Sequence, residues 1–187
     1  MPRVFALLFF LCFLVFPASA VAQTSPTGGA KFADAAPIVA PGSKATLLPD
    51  GSAAAPADAP PQVQAAIFAA NKLLDKPYRY GGGHARVEDS GYDCSGTISY
   101  ALIAAGVLKS PLDSGSFMRW GLRGKGTWIT VYTNPGHAYV TIAGLRLDTS
   151  TGGITSRRIP RTAERGPRWR AAMRSTRAFK ARHPLGL

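Results

Sequence analysis

The stretch Tyr92-Asp93-Cys94-Ser95-Gly96 organises the reading of the whole chain. The sequence holds two cysteines, Cys12 and Cys94, and Cys12 lies inside an apolar N-terminal run with the form of a cleaved export signal. Cys94 is then left without an intramolecular disulfide partner, and an unpaired cysteine in an exported chain points to intermolecular pairing or to a reactive thiol. The residues C-terminal to it favour reactivity. Thr97 to Ala105 reads as a short helix with Ile98, Ala101, Leu102 and Ala105 on one stripe, Asp93 as N-cap and Gly106 as terminator. Cys94 falls in the first turn, where free N–H groups and the helix dipole favour a thiolate. The alternative is a small buried residue that merely starts a core helix.

Upstream, Pro61 to Lys76 reads as an amphipathic helix with Val63, Ala66, Ile67, Ala70, Leu73 and Leu74 on one face. Lys76-Pro77-Tyr78-Arg79-Tyr80-Gly81-Gly82-Gly83-His84 then reads as a glycine loop that brings aromatic rings toward Cys94. It lacks the following Lys-Ser/Thr and the preceding strand of a phosphate-binding loop. Downstream, residues 108–126 form a Gly/Ser-rich connection in which Phe117, Met118 and Trp120 read as a packed lid or core flap rather than a cofactor box.

From Thr127 the periodicity becomes two. Trp128 to Tyr132 reads as a strand, Thr133-Asn134-Pro135-Gly136 as a turn, His137 to Ile142 as a second strand and Leu145 to Thr149 as a third, with a tight turn at Ala143-Gly144. A two-residue turn pairs Ile142 with Leu145 and sets His137, Tyr139, Arg146 and Asp148 on one face, with His137 and Asp148 as diagonal neighbours. Ala138, Val140, Ile142, Leu145 and Leu147 form the opposite, apolar face. A base and the group that orients it need that arrangement. Singly, His137 reads as a hydrogen-bonded structural histidine and Asp148 as a solvated strand residue; beside Cys94 the pair reads as catalytic. His84 stands as the rival base or as a cap on the glycine loop, and His183 as structural.

At the N-terminus, Arg3, the apolar run Val4 to Phe16 and the small residues Pro17-Ala18-Ser19-Ala20 have the form of a secretory signal peptide, cleaved after Ala20 or Ala22. The run is short for a membrane span, so no transmembrane segment is expected in the mature chain. Residues 23–60, rich in Ala, Pro, Gly and Ser, read as a disordered linker. Residues 61–187 are long enough for one domain with a core of its own. From Thr155 onward the chain is strongly basic and accounts for most of the formal charge of +12. Trp169, Met173 and Phe179 interrupt that run and are expected to pack down. Behind a signal peptide, the partner for such a tail is an anionic envelope polymer or lipid surface rather than nucleic acid; a solvated charged face is the plain alternative. No metal-ligand cluster is visible, and no cofactor is expected.

Pro77-Tyr78-Arg79-Tyr80-Gly81-Gly82, Tyr92-Asp93-Cys94-Ser95-Gly96 and Gly136-His137-Ala138-Tyr139-Val140, in this order, resemble the NlpC-type family of papain-like peptidoglycan cysteine peptidases. The likeness spans roughly Val63 to Thr149. It implies an α+β, papain-like fold, with Cys94 at the N-terminus of a helix packed on an antiparallel sheet that carries His137. It implies Cys94 as nucleophile, His137 as general base, Asp148 at the position of the orienting residue, and Tyr78, Asp93 and Ser95 as peptide-binding groups. The implied reaction is hydrolysis of an amide in peptidoglycan stem peptides, typically between D-glutamate and a diamino acid, by an exported enzyme of the periplasm or cell wall. Three departures stand out. Gly124-Lys125-Gly126-Thr127-Trp128 stands where many relatives have a Pro-Gly-Asp turn, Asp148 replaces the His, Asn or Gln of many relatives, and the basic tail is not part of the usual pattern. Another envelope amidase or acyltransferase on the same scaffold, and a non-catalytic wall-binding module, are the alternative functions.

Overall fold

The computed structural model describes residues 37–150, 164–171 and 173–187. The expected signal peptide, residues 1–22, and residues 23–36 of the expected linker lie outside the described residues, as does 155–163 of the basic tail.

The alternating segment after Thr127 forms the centre of an antiparallel sheet. In chain order its strands are β4 (Leu122–Arg123), β5 (Ile129–Asn134), β6 (His137–Ile142), β7 (Leu145–Ser150), β8 (Glu164–Arg170) and β9 (Lys180–His183), and their spatial order is β4-β9-β5-β6-β7-β8. The β6–β7 turn has the expected two residues: Ile142 pairs with Leu145 and Val140 with Leu147. Ala143 and Gly144 both take positive φ, +47° and +91°, the backbone of a type I′ turn whose twist suits a hairpin.

Two helices lie on the apolar face. Helix α1 (Pro61–Asn71) starts with proline at its first position, where the missing N–H costs nothing, and α2 (Cys94–Ala104) starts on the Asp93 cap. Val63, Ala66, Ile67 and Ala70 of α1 and Ile98, Ala101 and Leu102 of α2 share one core with Ile129, Val131, Ala138, Val140, Ile142, Leu145 and Leu147. Each large side chain in it contributes about 1.5–3 kcal/mol by burial. Helix α1 stops at Asn71, short of Lys76, and the chain tightens into successive turns bonded from residue i to i−3. A one-turn helix, α3 (Ser114–Phe117), occupies the connection after α2; Phe117 is fully buried in the core and Trp120 meets it edge-on, so the connection packs down through these two rings.

Two expectations fail here. Residues 37–60 are not a disordered linker. They form a second, three-stranded sheet, β1 (Val39–Ala40), β2 (Thr46–Leu47) and β3 (Ala53–Pro56), in the order β1-β3-β2, with β3 buried throughout. The composition hid this because alanine offers little apolar area; small side chains instead let β3 lie close to α1, where polar groups take over. Asn71 donates to the Ala53 carbonyl at 2.8 Å and accepts from its N–H at 3.0 Å. The Gln64 amide donates to the carbonyls of Pro56 at 3.1 Å and Ala59 at 3.2 Å.

Nor is the basic C-terminus an appended tail. Its described parts are strands β8 and β9 of the main sheet, joined by a connection that crosses the polar face of β6 and β7. Trp169 is buried and Phe179 half-buried, but Met173 is exposed, contrary to expectation. The molecule is thus of mixed α+β class. Among the described residues, no helix is long and apolar enough to cross a membrane.

Candidate active site

The start of α2 is positioned by backbone contact with the glycine loop. A Cβ on Gly96 would run into the Gly82 carbonyl oxygen, and one on Gly82 into the Gly91 carbonyl. The loop therefore lies flat against the first helical turn only because both positions are glycine. Asp93 joins the two. Its Oδ1 accepts from the Gly96 N–H at 2.7 Å, closing the N-cap, and its Oδ2 accepts from the Gly81 N–H at 3.1 Å. His84 Nε2 lies 3.0 Å from Asp93 Oδ1 and 3.2 Å from Ser95 Oγ. The hydrogen bond to Asp93 raises the His84 pKa, with burial opposing it. Burial opposes the Asp93 charge as well, but hydrogen bonds from His84 and the Gly96 N–H outweigh it and hold the carboxyl below its usual range. His84, the sequence's rival base, is thus directed at Asp93 and Ser95.

Cys94, next to that cap, lies close enough to His137 to bear on the charge of its ring. His137 opens β6 directly after the turn, where Asn134 Oδ1 accepts from the N–H groups of Gly136 and His137, both at 2.9 Å. This side-chain cap fixes the point at which the imidazole enters the site, and the sequence reading did not single Asn134 out. The hairpin register then delivers the expected diagonal pair: His137 Nε2 lies 2.9 Å from Asp148 Oδ1. Burial works against a charged ring, but hydrogen bonds to Asp148 and Cys94 and their charges prevail, raising the His137 pKa to about 9. Burial likewise opposes the Asp148 charge and is outweighed by His137, the Ser150 N–H and Arg174, which leave its carboxyl lowered.

Cys94 and the hydrogen-bonded pair His137–Asp148 therefore stand together in one cluster. The other candidates gather beside it. Tyr78, Asp93, Cys94 and Ser95 line a cavity of about 330 Å³, together with Tyr80, Gly81, His84, Asp113, Ser114 and the Pro135-Gly136 turn. Thiol, carboxylates and aromatic rings converge there on one opening. Among the described residues, no group of three or more His, Cys, Asp or Glu stands close enough to hold a metal ion.

The sequence reading missed Arg174. Its Nη1 donates to Asp148 Oδ2 at 3.0 Å and to Ser150 Oγ at 2.9 Å. In a run of many arginines nothing marked it out, because the feature that matters is where the β8–β9 connection crosses the sheet. In comparisons with known proteins the chain matches no family model and no curated protein.

Proposed function

We propose that this chain is a cysteine peptidase of NlpC-type, papain-like character that hydrolyses an amide bond in peptidoglycan stem peptides. The observation that carries the reading is the hydrogen-bonded pair His137–Asp148 beside Cys94, whose thiol opens onto a cavity lined by Asp93, Ser95 and Tyr78. In this reading His137 holds the proton of Cys94, and the resulting thiolate attacks the substrate carbonyl. The Cys94 N–H lies in the first turn of α2, where the helix supplies no acceptor of its own, and is placed to meet the oxyanion. Collapse of the tetrahedral intermediate breaks the C–N bond. The imidazolium protonates the leaving amine, and water, deprotonated by His137, then hydrolyses the thioester. Asp148 fixes the ring and stabilises its charged form.

The cavity fits the substrate class. Asp93 and Asp113 line it, and the one basic group among its lining residues is His84, which suits a peptide that presents an ammonium group near the scissile amide. The segment 1–22, read as a signal peptide, would deliver the enzyme to the envelope, and the basic C-terminal half would hold it at an anionic envelope polymer. Incubation with purified peptidoglycan, followed by mass spectrometry of the released fragments, tests the proposal. A new amine and carboxyl within the stem peptide is the expected result. Intact stem peptides with loss of another acyl group would favour an amidase or acyltransferase on the same scaffold, and unchanged peptidoglycan would overturn the reading.

A further inference from the structure

We propose that Arg174, on the connection between β8 and β9, is a positioning residue that fixes the Asp148 carboxylate with Oδ1 toward His137. The proposal rests on reading Cys94, His137 and Asp148 as the reacting unit. The Asp148 side chain is wholly buried, and a buried carboxylate is tolerated only where both oxygens find donors. Oδ1 has two: His137 Nε2 and the Ser150 N–H, each at 2.9 Å. Among the described residues, Arg174 Nη1 donates to Oδ2 at 3.0 Å, whereas Arg146 Nε, at 3.6 Å, lies beyond hydrogen-bond range and contributes charge. Arg174 thus fixes the rotation of the carboxylate as well as balancing its charge.

Arg174 is itself held for this. Its guanidinium lies 5.2 Å from the centre of the Tyr139 ring and 5.1 Å from that of Phe179, and Ser150 Oγ accepts from the same Nη1. Phe179 also meets the His137 ring edge-on, and the Ala178 carbonyl accepts from Asn134 Nδ2 at 3.1 Å, the residue whose Oδ1 caps the turn before His137. One short strap thus touches the carboxylate, the imidazole and the turn that launches it.

The test reads the Cys94–His137 pair without any substrate: the rate at which iodoacetamide alkylates Cys94 near neutral pH, resolved from Cys12 by peptide mass spectrometry on the full chain. Arg174→Ala should slow alkylation about ten- to a hundredfold, the range expected when a buried charged acceptor loses its donor. Arg174→Lys should recover most of the rate, and added guanidinium ion should restore Arg174→Ala at concentrations that leave its melting temperature unchanged. An Arg174→Ala protein that alkylates at the wild-type rate overturns the proposal. So does a slow variant that neither lysine nor guanidinium rescues, since Arg174 would then serve only to pack the strap. Peptidoglycan turnover is scored separately. A wild-type protein that leaves peptidoglycan intact, yet whose Cys94 reactivity depends on Arg174, removes the proposed substrate and not this role.

Discussion

His137 is the residue at which burial and charge compete most directly. Its folded pKa, about 9, lies above the ordinary value of 6.5, so the folded protein holds a proton that the unfolded chain releases between those two pH values. The stabilisation is complete below about pH 6.5 and is lost as pH rises toward 9, because folding binds more protons than unfolding in that window. His84 is raised as well, by its hydrogen bond to Asp93, so His137→Ala is the control. The melting temperature of the wild type should fall more steeply between pH 6.5 and 9 than that of His137→Ala; parallel curves would show that no proton is held there. Under the proposed mechanism the same group should set an alkaline limb on turnover near pH 9, where the imidazolium that would protonate the leaving amine disappears. Cys94→Ser and His137→Ala should each lower peptidoglycan turnover by roughly four to six orders of magnitude with the fold retained, and the double variant should be no worse. Asp148→Asn should cost up to about 10⁴-fold, because an amide accepts from the ring but does not balance its charge. Single-turnover measurements on the variants decide each case, and wild-type turnover by Cys94→Ser would remove the nucleophile.

At the scale of elements, the sequence was most legible where local chemistry and tertiary packing agree. The β6–β7 hairpin could be read to the residue, since strict alternation and a two-residue Ala-Gly turn leave one register that hides Val140, Ile142 and Leu147 while pairing His137 with Asp148. The start of α2 was equally plain, with an Asx cap, a thiol and a glycine in sequence. The segment 37–60 was not legible, because its order comes from partners far along the chain and not from its own apolar content. Asn71 is the chief of these. It joins the Ala53 backbone in both directions and accepts from Trp169 Nε1 at 2.8 Å, linking β3, α1 and β8 through one amide. Asn71→Ala should therefore destabilise the fold by about 2–4 kcal/mol, from two buried donors and one acceptor left without partners. Asn71→Asp, which keeps the acceptor and loses the donor, should fall between. Denaturant unfolding monitored by Trp fluorescence would measure both, and an Asn71→Ala protein as stable as wild type would mean that the residue 37–60 sheet is held by other contacts.

For the whole molecule, charge is divided as sharply as structure. Residues 1–113 carry eight basic and eight acidic side chains, and residues 114–187 carry fourteen basic and two acidic, so the second half holds the entire net charge of +12. One of those two acids, Asp148, is buried and engaged with His137, Arg146 and Arg174, so it offsets nothing at the surface. Around the β4 edge of the sheet, Arg119, Arg123, Lys125, Arg177 and Lys180 are all exposed, and Arg123 pairs across the strands with Arg182. The candidate cavity, by contrast, is built largely from the neutral half and lined by Asp93 and Asp113. In the proposed reading this division separates two tasks: the carboxylates would take a cationic group of the substrate while the basic edge would meet an anionic polymer. The two should respond differently to salt. Screening shortens from about 10 Å at 0.1 M to about 3 Å at 1 M ionic strength, so retention on purified sacculi should fall steeply across that range. Turnover of a small soluble stem peptide should fall far less than retention, because Cys94, His137 and Asp148 meet at short range away from the basic edge. Charge reversal at the edge, Arg119→Glu with Arg123→Glu and Lys125→Glu, should abolish retention at low salt and leave soluble-peptide turnover intact. Retention that ignores both salt and these substitutions would mean that contacts other than the basic edge hold the protein to the wall.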